Sequence, residues 1–129
     1  MANKLLLKFS VIGLSLTFIL GACSSSSSSA PIDLSPEAAA GREISINSGC
    51  SSCHGADGNG RIGPNWIQLA DSQVTLSDGK IVTADDAYLY ESIKYPGEKK
   101  RRGASGIMPS NNLTDEEIAS IIVYIRALK

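Results

Sequence analysis

The pentapeptide Cys50-Ser51-Ser52-Cys53-His54 constrains this chain more than any other feature. Two thiols separated by two residues, followed at once by an imidazole, form the pattern by which haem is attached covalently. The chemistry explains the spacing. The thiols add across the two vinyl groups on one edge of the macrocycle, and the next residue reaches back to the iron beneath the ring. A two-residue interval makes a tight turn that allows both. Rival readings of the same residues fare worse. A structural zinc site is almost always four-coordinate, and the chain holds a single His. A redox pair of the thioredoxin type sits in a βαβ pattern, and none surrounds these residues. A plain disulfide would leave His54 without a role.

The second axial ligand follows by elimination. Once the initiator is set aside, Met108 is the sole thioether in the chain, and His54 is already committed. A thioether opposite His raises the potential of a haem iron. Met108-Pro109 precedes the last predicted helix. The alternatives are a gap-filling core Met, with Lys or an open position at the iron.

The first residues are expected to be removed. Lys4 and Lys8 precede an apolar run from Phe9 to Leu20, and Gly21-Ala22 follows, so residues 1–22 read as a secretory signal. The run is short for a membrane span, which makes an uncleaved anchor helix the weaker alternative. Leu20-Gly21-Ala22-Cys23 resembles the lipobox of bacterial lipoproteins, which implies cleavage before Cys23 and acylation of it. Several acyl chains on one residue make a stable membrane anchor where one is marginal. The chain has three Cys, so lipid at Cys23 and haem at Cys50 and Cys53 leave none for a disulfide, although an exported protein could form one. Ser24 to Ser29, followed by Ala30-Pro31, is a low-complexity linker that makes residues 23–34 a tether or a spacer from the headgroups. Loss of Lys4 and Lys8 leaves 10 basic against 13 acidic residues, which gives no reason to invoke nucleic acid.

Residues 35–129 read as one domain. Ser35-Pro36 is an N-cap with Pro at the first helical position, and the Ala-rich stretch to Ser48 should be helical until Gly49. Val74-Thr75-Leu76 and Lys80-Ile81-Val82 flank Ser77-Asp78-Gly79, a short hairpin signal. Thr83-Ala84-Asp85-Asp86 caps a helix that ends near Lys94, before Pro96. Residues 98–106 lack periodicity and read as a surface loop. Thr114-Asp115-Glu116-Glu117 is a capping box. Beyond it Ile118, Ile121, Ile122, Ile125 and Leu128 repeat at helical spacing.

The order of these parts resembles that of class I c-type cytochromes. The features that carry the likeness are a helix, the CxxCH motif, Gly63-Pro64-Asn65, a middle helix, Met108-Pro109 and a terminal helix with Val123-Tyr124-Ile125. The resemblance implies an all-α cytochrome c fold of three to four helices around one covalent haem c, here with a short β-hairpin insertion. It implies that the Pro64 carbonyl orients His54, and that the first and last helices cross at Gly41 and Tyr124. The chain departs from the family where an aromatic usually stands four residues after that Gly. Ser45 occupies the place, with Ile44 or Ile46 to fill the gap. The run from Val74 to Ile93 is similar to the cytochrome c domain of haem–copper oxidase subunit II. It is similar also to the monohaem lipoprotein subunit of alternative complex III. Lys100, Arg101 and Ala104 stand where those relatives usually carry apolar and aromatic residues.

The resemblance implies a single-electron carrier rather than an enzyme, on the outer face of the cytoplasmic membrane or in a periplasm. Its expected partners are the membrane, a quinol-oxidising complex and a terminal oxidase. A haem-based sensor of small ligands, or a small haem enzyme with a displaceable Met108, is the alternative. Lys99-Lys100-Arg101-Arg102 is the one dense basic run of the mature chain. It reads either as a docking patch that speeds association with a partner or as a solvated loop.

Overall fold

A computed structural model describes residues 32–129. The expected signal peptide, the expected lipidation site Cys23 and the serine run therefore lie outside the described residues. The elements are α1 (Pro36–Asn47), α2 (Ser51–His54), β1 (Gln73–Thr75), β2 (Ile81–Thr83), α3 (Asp86–Lys94) and α4 (Asp115–Ala127). The domain is thus mostly helical, with one two-stranded antiparallel sheet in which Val74 pairs with Val82. None of the described helices is long and apolar enough to cross a membrane.

Local chemistry sets the helix ends where the sequence marks them. The Ser35 hydroxyl accepts from the Ala38 amide and Pro36 opens α1. The Asp85 carboxylate accepts from the Tyr88 amide at the start of α3. At α4, Thr114 accepts from the Glu117 amide while the Glu117 carboxylate accepts from the Thr114 amide, which closes the capping box.

The most extensive helix contact is α1 on α4. The buried positions of α1 are small: Ala38, Gly41 and Ser45. A stripe without bulk lets the helices approach until a Cβ on Gly41 would stand 1.9 Å from the Ser120 carbonyl oxygen. From its side α4 contributes Ile118, Ile121, Ile122, Tyr124 and Ile125. Ser45 is itself buried and turns its hydroxyl back to the Arg42 carbonyl at 2.7 Å, while Ile44 packs against the core from a half-buried position.

The middle helix α3 packs on α4 through a stripe of Tyr88, Leu89 and Ile93. Ion pairs lock their ends. Arg126 of α4 reaches Asp86 and Asp71, each at 2.7 Å, and Lys94 of α3 reaches Asp115 at 2.8 Å. All are exposed enough that each contributes on the order of 0–1 kcal/mol. The hydrophobic core determines the fold, and these pairs only trim it.

Residues 98–106 form a surface loop, as expected, and its stretch 100–102 is tied to the hairpin. The Lys100 carbonyl accepts from the Ser77 amide and the Arg102 amide donates to the Thr75 carbonyl, both at 2.8 Å. Arg101 bridges to Leu76 in antiparallel sense. The segment lies along the hairpin as a short extra edge, and main-chain pairing of this kind leaves no mark on side-chain periodicity.

Candidate functional site

Four segments meet around a mostly apolar cleft of about 440 Å³: the CxxCH turn, the loop after it, α3 and the loop before α4. That volume is within the roughly 300–1,000 Å³ expected of a cofactor pocket. Cys50, Cys53, His54, Pro64 and Met108 all line it. Cys50 sits at the N-cap of α2, and its carbonyl accepts from the His54 amide at 3.0 Å. This single helical turn brings both thiols and the imidazole to one wall. Sequence periodicity could not announce it, since one turn is too short to show a period.

His54 is buried, and its orientation is specified on several sides. Nδ1 lies 2.8 Å from the Pro64 carbonyl oxygen, which assigns the ring proton to Nδ1 and leaves Nε2 as a lone pair. The Gly60 amide donates to the His54 carbonyl at 2.7 Å and the Gly63 amide to the Cys53 carbonyl at 2.9 Å, so the loop folds back over the motif. A Cβ on Gly63 would stand 2.9–3.1 Å from three ring atoms of His54, which makes glycine the residue that fits beneath the imidazole. Trp66 stacks on the same ring at 4.5 Å between centroids, and meets Tyr124 edge-on at 6.2 Å. Burial holds the His54 pKa below its ordinary value, against the opposing pull of the Pro64 carbonyl. The imidazole is therefore neutral, the form that binds metal. Burial likewise pushes the Cys50 thiol up.

Met108 is half-buried in the loop ahead of α4. The loop is pinned to the neighbouring helix, because the Asn111 amide nitrogen donates to the Ile93 carbonyl at 2.7 Å. Asn111 did not stand out in the sequence. Its role follows from a contact between distant segments.

The residues present fit a haem. The two thiols lie at one wall of an apolar cleft large enough for a cofactor, with an imidazole whose free nitrogen is specified and a single thioether on the same lining. The zinc alternative fails on the donor set, as no three His, Cys, Asp or Glu side chains among the described residues are placed to hold a metal ion.

The basic run is split. Lys99 pairs with Glu91 of α3. Lys100 and Arg102 are exposed, while Lys99 and Arg101 are half-buried. Ile62 and Ile107, 62% and 91% exposed, form an apolar rim near the cleft mouth. Trp66, which could be counted with Ile107 on that rim, is instead 6% exposed and belongs to the floor beneath His54.

Comparison with known proteins supplies one match. The family model described as cytochrome c matches residues 38–129, a span that takes in α1 beyond its first two residues and every later element. No curated protein matches the chain.

Proposed function

Starting from the fact that the chain belongs to the cytochrome c family and carries haem c as an electron carrier, we propose that it works in a membrane respiratory chain, tethered by lipid on Cys23. It takes electrons from a quinol-oxidising complex and passes them to a terminal oxidase, either as a fixed subunit or as a swinging shuttle. The observation that carries the reading is the cleft itself, in which the His54 nitrogen and Met108 sulfur share one lining with the two thiols. Ligation by both His54 and Met108 would close the iron to substrates, which suits a carrier and not an enzyme.

Haem supplies the one-electron couple, and the protein supplies its setting. Cys50 and Cys53 hold the group covalently. His54 presents Nε2 while the Pro64 carbonyl keeps the ring proton on Nδ1. Trp66, Leu69, Leu89 and Ile93 exclude water from the cleft, which lowers the local dielectric and the reorganisation that accompanies a change of charge. Met108 would supply the second ligand to the iron, from a loop that Asn111 ties to α3.

The anchor and the partners are tested together. Cys23→Ser behind an ordinary cleavable signal should yield a soluble holoprotein. Washed membranes given quinol should reduce that protein, and with oxygen present they should reoxidise it in a cyanide-sensitive manner. A variant that still pellets at high salt would replace the lipid by a tight complex. Absence of both electron transfers would remove the respiratory placement. Ready binding of carbon monoxide by the reduced wild type would favour the sensor reading instead.

A further inference from the structure

The residues around the cleft include three cations, Lys99, Lys100 and Arg101, and not one Asp or Glu. All three come from the single segment that lies along the hairpin edge, so the positive charge is gathered at one part of the cleft. Extended backbone alternates its side chains. The bridge from Arg101 to Leu76, flanked by the Lys100 and Arg102 main-chain bonds, gives Arg101 that conformation. Accordingly Arg101 is half-buried on the cleft and Arg102 is exposed and off it, while Lys100 lies at the cleft with its side chain largely in solvent. Lys99 has its counter-charge in Glu91. Arg101 is half-buried, and among the described residues no carboxylate pairs with it. A partly desolvated guanidinium without a partner is unfavourable unless an anion arrives to meet it.

A second observation points into the same space. The Ser92 hydroxyl is buried, lines the cleft, and has no hydrogen-bond partner among the described residues. Neither the cation nor the hydroxyl has an acceptor among the described residues.

We propose that Arg101 binds a carboxylate side chain of the haem, and that the basic run is therefore divided between cofactor and solvent. The inference rests on the haem assignment. Haem c spends its two vinyl groups on the Cys50 and Cys53 side of the ring, and its two carboxylates leave the opposite edge. They need a counter-charge from a part of the chain other than the CxxCH turn. The guanidinium fork matches a carboxylate in two parallel hydrogen bonds, which an ammonium does not. Arg101 is thus a positioning residue that orients the ring and sets the field at the iron.

The test uses the full-length holoprotein and its Arg101→Gln, Arg101→Lys and Arg102→Gln variants. Two quantities are read on each: the midpoint potential by equilibrium redox titration, and the carboxylate bending bands of the haem by resonance Raman. Arg101→Gln should lower the potential, because a cation that disfavours the oxidised iron is gone, and should move a bending band. Arg101→Lys should recover most of the potential but leave that band displaced. Arg102→Gln should leave both near wild type. A wild-type bending band in both Arg101 variants would overturn the contact. An equal fall in potential for Arg101→Gln and Arg102→Gln would do the same, since it would mean a general field of exposed charge. If Arg101→Gln matures poorly, the band in Arg101→Lys decides alone. Loss of covalent haem from the wild type would instead sink the haem assignment, an outcome visible in its spectrum before any variant is made.

Discussion

Nδ1 of His54 lies 2.8 Å from the carbonyl oxygen of Pro64, so a backbone group from the following loop decides which nitrogen of the imidazole is free. Replacement of Pro64 by Ala keeps the carbonyl but releases φ. We expect holoprotein to form and unfolding stability to fall by about 0.4–1 kcal/mol, through the more flexible unfolded chain. A looser hydrogen bond makes the imidazole a weaker donor to the iron, so the potential should rise slightly. Denaturant unfolding and redox titration of the same sample check both. Wild-type values in the two measurements would show that the loop holds His54 without help from the proline ring.

Met108 is expected to be the second axial ligand. Met108→Ala should lower the midpoint potential and open the iron to carbon monoxide, because the thioether favours the reduced state. An unchanged visible spectrum and potential would assign the position to another side chain. Asn111→Ala tests the support of that loop. It removes the tie to the Ile93 carbonyl, and should weaken Met108 ligation without abolishing it, as seen in faster carbon monoxide binding than in wild type.

Gly41 sits where α1 crosses α4, with room for no side chain. A Cβ there would stand 1.9 Å from the Ser120 carbonyl oxygen and 3.1 Å from Tyr124 Cβ. Backbone cannot swing aside as a flexible side chain does, so Gly41→Ala should cost at least about 1–3 kcal/mol. Ser45→Ala is the contrast. The Ser45 hydroxyl bonds only to the Arg42 carbonyl of its own helix, and its loss should cost no more than about 0.5–1.5 kcal/mol. Thermal unfolding of the two variants ranks them. Equal losses would mean that the helices separate readily and that the close approach is not needed.

Docking, if electrostatic, belongs to the outward half of the basic run. Lys100 and Arg102 are the exposed pair. Their joint replacement by Ser should slow electron transfer with the native acceptor at low ionic strength and flatten its salt dependence, since such charges act over a Debye length of about 10 Å at 0.1 M. Stopped-flow rates across a salt series measure this. Parallel salt slopes for wild type and variant would leave the apolar rim of Ile62 and Ile107 as the contact.

Much of the chemistry was legible in the linear chain because it is carried by neighbours in sequence. The CxxCH motif names its cofactor through spacing alone. Single residues at the helix starts mark themselves: Ser35, Asp85 and Thr114 accept from amides within their own first turn, and a local hydrogen bond needs nothing distant. The hairpin register around Ser77-Asp78-Gly79 is local in the same sense. Elimination among scarce side chains brought Met108 forward, and the structure places it on the same cleft as His54.

What the tertiary structure decided depends on contacts between segments far apart in the chain. Trp66 has no mark in the linear chain, and only the fold stacks it on His54, sets it edge-on to Tyr124 and buries it in the core. Asn111 is an ordinary loop polar residue until the Ile93 carbonyl comes within 2.7 Å. Lys99 to Arg102 read as four equivalent charges, because composition has no direction. Main-chain bonds to Thr75 and Ser77 give that segment a register. Register turns Arg101 toward the cleft and Arg102 toward solvent. The residues at hand were determined by the sequence alone; which charge of the run is half-buried on the cleft was decided only when a hairpin from another part of the chain supplied an edge to bind.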